Sequence, residues 1–505
     1  MVRYVPNIGL EVHCELSTQT KVFCGCPTAA GAPPNTQVCP VCLGFPGALP
    51  ALNRAVVEYG LRVALALRCQ ISRPSIFERK GYYYPDLPKN FQISQKRSPL
   101  GHSGWVEVSA NGDPSPGGLH RVRITDVHIE EDAAKLLHPE DDRDHSLVDF
   151  NRSGIPLLEI VSEPDMHSAA QVEAYMNAIR SALLYLGVSE ARMEQGQLRF
   201  EASISMRPEE SAELGTRVEI KNLNSFRAVL GAVRHEIERQ TKALQSGERL
   251  VQETRLWDDV RQATEPMRTK ETAMDYRYFP EPDLVPLVVD DEWIARVRAG
   301  LPEMAEERGR RLVREYGFDE KEAAVLTSDK SAADAVETAI KERGVPAEYA
   351  KNMMIGPGFR WRRLASAAGT PESAATATTG TKTSLVWVGS PADEAKAIHD
   401  LYRLQSQGQL SGTAARALYP EILKTGESAD DLVKERGTQI GDQDQLGAAV
   451  DEVIAENAEA AENFRKGKEA ALKFLVGQVM RKTKGRANPQ MVNEMVRGRL
   501  AGGKA

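Results

Sequence analysis

The sequence predicts an α+β protein in which a domain built on an antiparallel sheet is followed by helical domains. Strand-like stretches that alternate apolar and polar residues recur in the first part of the chain, among them 196–208 and 216–225. From residue 292 onward, helical periodicity replaces them. The 505 residues exceed what one hydrophobic core usually organises, so several domains are expected.

The composition is that of an ordinary globular protein, with 41% hydrophobic and 27% charged residues. No apolar run reaches the roughly 18 residues of a membrane span, and the N-terminal stretch lacks the apolar core of a signal peptide. We therefore expect a cytoplasmic protein without a membrane partner. The net charge of −7 argues against general nucleic-acid affinity, but residues 464–505 carry eleven Lys and Arg against two Glu.

Two acid clusters follow two apolar runs within residues 121–165. The run 121–129 leads into Glu130, Glu131 and Asp132, and a polar loop precedes the second run. Hard cations such as Mg²⁺ bind where carboxylates are presented from fixed strands. The stretch therefore favours a metal site, while three adjacent acids alone leave a solvated strand end open as the alternative.

The first strand also presents polar groups on one face. In residues 8–16, apolar side chains alternate with Glu11, His13 and Glu15, which therefore share one side of the strand. Three groups able to bind a metal or carry a proton exceed what surface alternation requires. A solvent-facing strand produces a similar pattern, so both interpretations stay open.

Four of the six cysteines lie within nineteen positions, in the order C-x-C, twelve residues, C-x-x-C: Cys24, Cys26, Cys39 and Cys42. In a reducing compartment such a cluster favours zinc over two disulfides. Four thiolates complete a tetrahedral shell and leave no open position, so the predicted role is structural. The remaining two, Cys14 and Cys69, are expected in the core.

Residues 77–95 combine aromatic side chains with Arg79, Lys80 and Lys89 around two prolines. Proline disfavours a regular helix or a central strand, so we expect an irregular loop. Tyrosines and lysines on a loop fixed by proline can hold the base and phosphates of a nucleotide. The alternative, which spacing alone favours, is a loop that its tyrosines clamp to the core.

Capped amphipathic helices are predicted over 171–186, between Ser168 and Gly187, and over 225–247. The intervening strands expose acids and bases together on their polar faces: Arg199, Glu201, Arg207, Arg217, Glu219 and Lys221. Antiparallel sheets commonly leave one face open to water. A wet face with this mixture is expected to form the floor of a concave active site.

The helical region contains a low-complexity insert, 364–383, rich in Ala, Thr, Ser and Gly. Its TGTKTS fragment lacks the glycine spacing and the preceding strand of a phosphate-binding loop, so we reject that assignment. Beyond residue 400 the helices are first acidic and then basic. Phe474, Leu475 and Val476 are expected to pack the basic stretch onto its own domain.

The chain resembles the B subunits of the glutamine-dependent amidotransferases that convert Glu-tRNA(Gln) or Asp-tRNA(Asn) to the amide. Long motifs over nearly the whole chain carry the resemblance: IGLEVHCEL, FERKGYYYPDLPKNFQISQ, HIEEDAAKLLH, LVDFNRSGIPLLEIVSEPD, VEIKNLNSF, DYRYFPEPDLVPL and FLVGQVMRKTKGRANPQ. Motifs of this length do not match by chance.

This resemblance implies a cradle-shaped, kinase-like α+β domain over 1–292, a helical domain over 293–404 and a small, basic-ended helical tail over 405–505 that binds tRNA. It implies that ATP phosphorylates the side-chain carboxylate of the mischarged amino acid and that ammonia then displaces phosphate. An amidase partner, known in the family as the A subunit, would supply the ammonia through a tunnel, and a small C subunit would complete the complex. The implied cofactors are ATP and Mg²⁺, with structural Zn²⁺ at the cysteines.

The resemblance also implies roles for individual residues. Mg²⁺ is expected at Glu11, His13, Glu130, Glu131 and Glu201. Catalytic roles are expected for Glu11, His13, Glu131, Lys80 and Arg199. Contacts to ATP are expected from Lys80, Tyr82, Lys89, Arg152 and Ser153.

One motif departs from the family pattern: the usual R-C-D-A-N is R-F-E-A-S here, so Glu201 replaces an aspartate and Ser203 an asparagine. Glu reaches one methylene further and Mg²⁺ tolerates misfit poorly, so direct ligation is expected first from Glu11 and His13.

The residues alone leave two other functions open. One is a free-standing ligase of a small carboxylic acid, and the other is a tRNA-binding scaffold without chemistry.

Overall fold

The computed structural model describes residues 2–110, 118–138, 145–269, 276–360, 390–436, 443–483, 487 and 489–501. The chain separates into two compact units, Met1–Met304 and Ala305–Ala505. The first unit combines strands and helices and the second is helical, which confirms the mixed fold predicted from the sequence. The insert predicted over 364–383 lies outside the described residues.

Within the described part of the first unit, one large sheet is formed by β1 (Tyr4–Glu15), β2 (Gln70–Ile71), β5 (Gly101–Ser109), β6 (Leu119–Glu131), β9 (Pro156–Ser162), β10 (Leu198–Pro208), β11 (Val218–Leu223), β12 (Glu253–Asp258) and β13 (Ala263–Thr269). Its strand order is β13-β12-β11-β10-β1-β9-β6-β5-β2. Neighbours pair antiparallel, apart from the parallel pair β11 and β12. The first strand of the chain therefore occupies the middle of the sheet.

A small sheet is formed by β3 (Glu78–Gly81), β4 (Phe91–Ser94) and β14 (Phe279–Pro280), in the order β14-β3-β4. The expectation of an irregular loop over 77–95 is therefore wrong at its two ends. Both prolines lie in the connection between β3 and β4, where they leave the ladder hydrogen bonds intact. A two-stranded sheet of β7 (Lys135–Leu137) and β8 (Leu147–Asp149) follows β6.

Helices α1 (Arg54–Ala66), α2 (Ala169–Leu186) and α3 (Phe226–Gln245) pack on one face of the large sheet, and α4 (Asp291–Ala299) packs on α1. The predicted caps of α2 are confirmed. Ser168 accepts a hydrogen bond from the backbone N–H of Gln171, and Gly187 ends the helix at a φ of 64°, which favours glycine. Ser225 caps α3 in the same way.

Strand alternation decides which face of the sheet is buried. On β1, Ile8, Leu10, Val12 and Cys14 are at most 1% exposed and belong to the core shared with the helices. Each such aliphatic side chain stabilises the fold by about 1.5–3 kcal/mol. Because successive side chains on a strand point to opposite faces, the polar residues between them face away from the helices.

The second unit contains α5 (Ala305–Tyr316), α6 (Glu320–Thr327), α7 (Lys330–Lys341), α8 (Ala347–Met353), a π-helical turn (Met354–Gly358), α9 (Pro391–Ser406), α10 (Gly412–Thr425), α11 (Ala429–Arg436), α12 (Gln443–Glu456), α13 (Ala458–Arg465), α14 (Glu469–Lys482) and α15 (Pro489–Ala501). Two separate hydrophobic clusters hold it together, one from Leu312 to Leu432 and one from Leu446 to Leu500. None of the helices described is long and apolar enough to span a bilayer.

The packing predicted for the basic stretch is only partly right. Leu475 is fully buried in the last hydrophobic cluster and Val476 packs beside it, but Phe474 is 48% exposed. On α14, Phe474 lies on the opposite side from the buried positions Leu472, Leu475 and Val479. The stretch therefore presents an aromatic ring together with its cations.

Candidate functional site

A row of ionisable side chains crosses the open face of the large sheet. The strand register places Glu11 opposite Glu201, and His13 opposite both Glu159 and Arg199. On the far side, Glu159 lies opposite His128 of β6. Five adjacent strands therefore contribute to one surface, whose remaining members come from β11 and the end of β6: Glu219, Lys221 and Glu130.

The first group in this row is formed by His13, Glu130 and Glu159. Their potential ligand atoms all lie within 4.8 Å of one another. Nε2 of His13 lies 3.4 Å from Oε2 of Glu159, and Nε2 of His128 lies 3.1 Å from the same oxygen. Two carboxylates and an imidazole from three strands are a donor set that fits a divalent cation.

His128 supplies positive charge beside this group. Burial acts to lower the pKa of its imidazole, but Glu159, Asp126 and Glu130 outweigh it and raise that pKa well above the ordinary value. In return, although burial acts against it, His128 and His13 hold the pKa of Glu159 well below its usual range. The carboxylate of Glu159 is therefore charged and ready to bind a cation.

The second group is formed by Glu11, Glu201 and Glu219, whose ligand atoms also lie within 4.8 Å of one another. Nζ of Lys221 lies 2.6 Å from Glu201 and 3.3 Å from Glu219. Burial and the neighbouring carboxylates of Glu159, Glu201 and Glu219 raise the pKa of Glu11 to about 7. Three carboxylates crowded around one lysine leave excess negative charge, which a bound cation would offset.

Glu131 lies apart from both groups. Its carboxylate accepts hydrogen bonds from the ammonium of Lys89 and from the backbone N–H of Ile93, 2.9 Å away. Glu130, the preceding residue, accepts hydrogen bonds from Ser94 and Gln92 at 2.7 and 3.1 Å. Adjacent residues on a strand point to opposite sides, so the two acids of the motif have different partners.

Lys80 on β3 approaches the row from the small sheet. Burial acts to lower the pKa of its ammonium, but Glu130 and other neighbours raise that pKa above the ordinary value. Its Nζ lies 5.2 Å from the ring centroid of Tyr276, which packs edge-on against Tyr82 at 6.1 Å. The tyrosines thus clamp this segment while the lysine remains beside the carboxylates.

Arg199, Arg152 and Ser153 lie next to Asp132, at the end of β6. Arg199 donates to the Asp132 carboxylate at 3.1 Å, and Arg152 donates to the carbonyl oxygens of Ala133 and Ala134 at 2.9 and 2.8 Å. The hydroxyl of Ser153 donates to the carbonyl oxygen of Cys42 at 3.0 Å. Of the three, Arg199 also belongs to the sheet-face row.

The four predicted cysteines converge: the sulfurs of Cys24, Cys26, Cys39 and Cys42 lie within 4.8 Å of one another. Sγ of Cys42 is 3.9 Å from Sγ of Cys39. Four sulfurs at about 2.3 Å from a tetrahedral zinc ion are about 3.8 Å apart, so this spacing fits the metal. A hydrogen bond from Cys24 lowers the pKa of Cys42 to about 4, which favours the thiolate that zinc requires.

Sequence reasoning missed two members of the row, Glu159 and His128. Glu159 is a single acid inside the apolar strand β9, and His128 lies two residues before Glu130. Glu219 is predicted on the polar face that forms the floor of the site, but without an individual role. A lone carboxylate in an otherwise buried strand is a signal for Glu159, because an unpaired buried charge is costly. Period-two spacing from Glu130 is the signal for His128.

The described sheet face carries two groups of side chains that could hold a metal ion, with a lysine and an arginine beside them, and this arrangement fits the active site of an enzyme. Residues 6–295 match the family model described as the GatB/GatE catalytic domain, and residues 382–500 match the one described as the GatB domain. The chain belongs to the family of aspartyl/glutamyl-tRNA(Asn/Gln) amidotransferase B subunits. This confirms the family that the sequence motifs indicated.

Three curated relatives are named as B subunits of an aspartyl/glutamyl-tRNA(Asn/Gln) amidotransferase. The one from Moorella thermoacetica is 47% identical over 501 residues, and the one from Thermoanaerobacter sp. (strain X514) is 45% identical over 501 residues. The one from Carboxydothermus hydrogenoformans is 45% identical over 504 residues. In each case the match covers 99% of this chain and 100% of the relative.

Proposed function

We propose that this chain, as the B subunit of an amidotransferase, uses ATP to activate the side-chain carboxylate of Glu-tRNA(Gln) or Asp-tRNA(Asn). Glutamine-derived ammonia then converts the activated group to the amide, so the complex is a ligase that forms a carbon–nitrogen bond. The observation that carries the proposal is the pair of adjacent cation-binding groups on the sheet face. Family membership supplies the substrate class.

A carboxylate is a poor electrophile because attack at its carbon would have to expel oxide. In the proposed first step, a carboxylate oxygen attacks the γ-phosphorus of ATP, the bond to ADP breaks and an acyl phosphate forms. Ammonia then attacks the carbonyl carbon, loses a proton to a base, and phosphate leaves with the electron pair of the broken bond. Catalysis of phosphoryl transfer requires alignment and positive charge around the phosphates.

The residues on the sheet face fit these requirements. The groups of His13, Glu130 and Glu159 and of Glu11, Glu201 and Glu219 would hold Mg²⁺. When bound, Mg²⁺ would neutralise phosphate charge. Lys80 and Arg199 lie beside these carboxylates and would bind phosphate or carboxylate oxygens.

Residues Lys80, Tyr82, Lys89, Arg152 and Ser153 are proposed to form the ATP site. Lys80 is nearest to the carboxylates, and Lys89 would exchange its partner Glu131 for a phosphate when ATP binds. Arg152 and Ser153 already donate to backbone carbonyls, so they support the site by fixing the segment on which they lie. Glu131 would contribute to catalysis by holding Lys89. It would serve as a metal ligand only if its carboxylate left Lys89 and moved to one of the two groups on the sheet face.

The cysteine group would hold a structural Zn²⁺, because four sulfurs at tetrahedral spacing leave no position for a substrate. The cradle-shaped, kinase-like form of residues 1–292 and the further division into 293–404 and 405–505 also remain proposals. The proposed protein partners are the amidase and the small C subunit. Mischarged tRNA is the proposed nucleic-acid partner of the tail. All of them would meet in the cytoplasm, where tRNA is charged.

Reconstitution with an amidase partner tests the function. Wild-type chain should convert mischarged tRNA to the amidated form only with ATP and Mg²⁺, and His13→Ala should abolish this while glutamine hydrolysis by the partner continues. His102→Ala is the matched control, because His102 lies on β5 outside the row and its imidazole hydrogen-bonds Ser103. Full amide formation by His13→Ala at limiting Mg²⁺ would contradict the assignment.

A further inference from the structure

Lys21 is a lysine with 0% exposure that lies against the cysteine group. Its Nζ is 3.7 Å from Sγ of Cys42 and donates to the carbonyl oxygen of Phe150 at 3.3 Å. Among the described residues these are its hydrogen-bond partners, and neither is a carboxylate. A buried ammonium is costly unless an opposite charge compensates it, so the position of Nζ favours a negatively charged sulfur at Cys42.

The segment Phe150–Ile155 contacts the cysteine group directly and the neighbouring residues Lys21 and Val22. Besides the Lys21 contact, Ser153 donates to the carbonyl oxygen of Cys42 at 3.0 Å, and the N–H of Val22 donates to the carbonyl oxygen of Gly154 at 3.0 Å. Gly154 has a φ of 81°, and a side chain there would lie about 3.5 Å from Lys21. The segment is therefore packed directly against the loop that carries Cys42.

The other end of the segment reaches the sheet-face row. The N–H of Gly154 donates to the carbonyl oxygen of Asp132 at 2.9 Å, and the N–H of Asp132 donates to the carbonyl oxygen of Ile155 at 2.8 Å. Asp132 in turn accepts a hydrogen bond from Arg199. A chain of direct contacts thus runs from Cys42 through Phe150–Ile155 to an arginine of the proposed active site.

We propose that Lys21 is a positioning residue that couples metal binding at the four cysteines to the segment Phe150–Ile155. The inference rests on the proposed zinc site. Zinc with four thiolates carries a net charge of about −2, and one ammonium at the Cys42 sulfur offsets half of it. The same ammonium holds the Phe150 carbonyl, so the segment is fixed only when Cys42 is held as a charged metal ligand.

The test measures zinc and backbone exchange in the full chain. Lys21→Met removes the ammonium and keeps an unbranched apolar side chain one atom shorter. It should speed zinc release to a chromogenic chelator by about 10–100-fold, the usual effect of losing a group that supports a metal ligand. Hydrogen exchange over 150–155 should rise in zinc-loaded Lys21→Met as much as it does when zinc is removed from wild type. Lys21→Arg should restore slow release, and Lys96→Met, at an exposed lysine of the same unit, should match wild type.

The outcomes separate the two proposals. Wild-type chain without stoichiometric zinc would overturn the metal assignment and the coupling with it. Zinc present in wild type but released at the same rate from Lys21→Met would overturn the coupling alone. If Lys21→Met does not fold, the wild-type chain provides the test. Hydrogen exchange over 150–155 that is unchanged when zinc is removed would overturn the coupling, and an increase in exchange would support it.

Discussion

His13 and Glu159 face each other across the pair β1 and β9, with Nε2 of His13 3.4 Å from Oε2 of Glu159. Glu159 also lies 3.1 Å from Nε2 of His128, so one carboxylate stands between two histidines. His128 is buried and carries positive charge, whereas His13 borders the open face. The carboxylate is thereby held in one orientation, which is what a metal ligand needs.

Glu159→Gln should therefore lower the activity of the enzyme by weakening Mg²⁺ binding. We expect amide formation to fall by about 100-fold or more and the Mg²⁺ concentration for half-maximal activity to rise, because a charged ligand is lost. Glu163→Gln is the matched control, since Glu163 follows the same strand and bonds Thr125 outside the row. Titration of the activity of each variant with Mg²⁺ measures the maximal rate and the Mg²⁺ requirement. An unchanged Mg²⁺ requirement in Glu159→Gln would show that Glu159 is not a metal ligand.

The sequence allowed the faces of the strands to be predicted, but not the order of the strands. Alternation alone places Glu11, His13 and Glu201 on polar faces, because the side-chain period of a strand is two. That β1 lies between β9 and β10 depends on pairing between segments about 150 to 190 residues apart, which no local pattern encodes. The two clusters on the sheet face, His13 with Glu130 and Glu159 and Glu11 with Glu201 and Glu219, form only because the strands lie in that order.

The same rule applies to the acidic motif. The resemblance implies both Glu130 and Glu131 as metal ligands, whereas consecutive side chains on a strand diverge. The structure gives them separate partners, the imidazole of His128 for Glu130 and the ammonium of Lys89 for Glu131. The cysteine cluster could be predicted more completely, since its four members lie close in sequence and converge without help from distant strands.

The two acids of that motif should respond differently to neutralisation. Glu130→Gln should raise the Mg²⁺ requirement, because Glu130 belongs to a group that could hold the cation. Glu131→Gln should leave the Mg²⁺ requirement close to that of wild type while changing the KM for ATP, because it frees Lys89. Parallel titrations with Mg²⁺ and ATP distinguish them. Equal shifts of the Mg²⁺ requirement in both variants would show that Glu131 moves into the metal group.

Metal affinity should depend on pH through Glu11. Its pKa is raised to about 7 in the metal-free protein, so the carboxyl is protonated below that pH and charged above it. Because a cation binds only the charged form, Mg²⁺ affinity should fall as the pH decreases through 7, with Glu11 contributing about one released proton near pH 6. Calorimetry in buffers of different ionisation enthalpy measures the proton release. Glu11→Gln should bind Mg²⁺ more weakly and release about one proton fewer than wild type, and an unchanged proton release in that variant would assign it to another group.

The cysteine group should carry one zinc ion per chain. Cys39→Ser combined with Cys42→Ser should lose the metal and lower the melting temperature, because binding energy at a structural site is folding energy. A loss of ~2 kcal/mol corresponds to a decrease of about 3 °C in the melting temperature of a unit that spans Met1–Met304. Elemental analysis and a thermal melt measure the two effects, with Cys69→Ala, a core cysteine outside the group, as the control for cysteine removal. Metal-free protein with four titratable thiols would refute the site.

The tail should bind tRNA through its unpaired cations. Lys482 is held by Glu452 and Glu456 at 2.8 and 2.7 Å, whereas Lys473 and Arg481 are exposed and make no ion pair within the described residues. Both lie on the side of α14 that carries the exposed ring of Phe474. Lys484 and Arg486, which add to the local charge, lie outside the described residues.

Phosphate contacts release counterions, so each contact contributes about 0.7–0.9 to the slope of log affinity against log salt concentration. Replacing Lys473 and Arg481 by Ala should therefore weaken binding of mischarged tRNA and reduce that slope by about 1.4–1.8, while the KM for ATP stays the same. Lys482→Ala, which removes a paired lysine from the same helix, should change the slope far less. Filter binding over a range of salt concentrations measures both. A slope equal to that of wild type in the double variant would mean that this face of α14 contacts something other than tRNA.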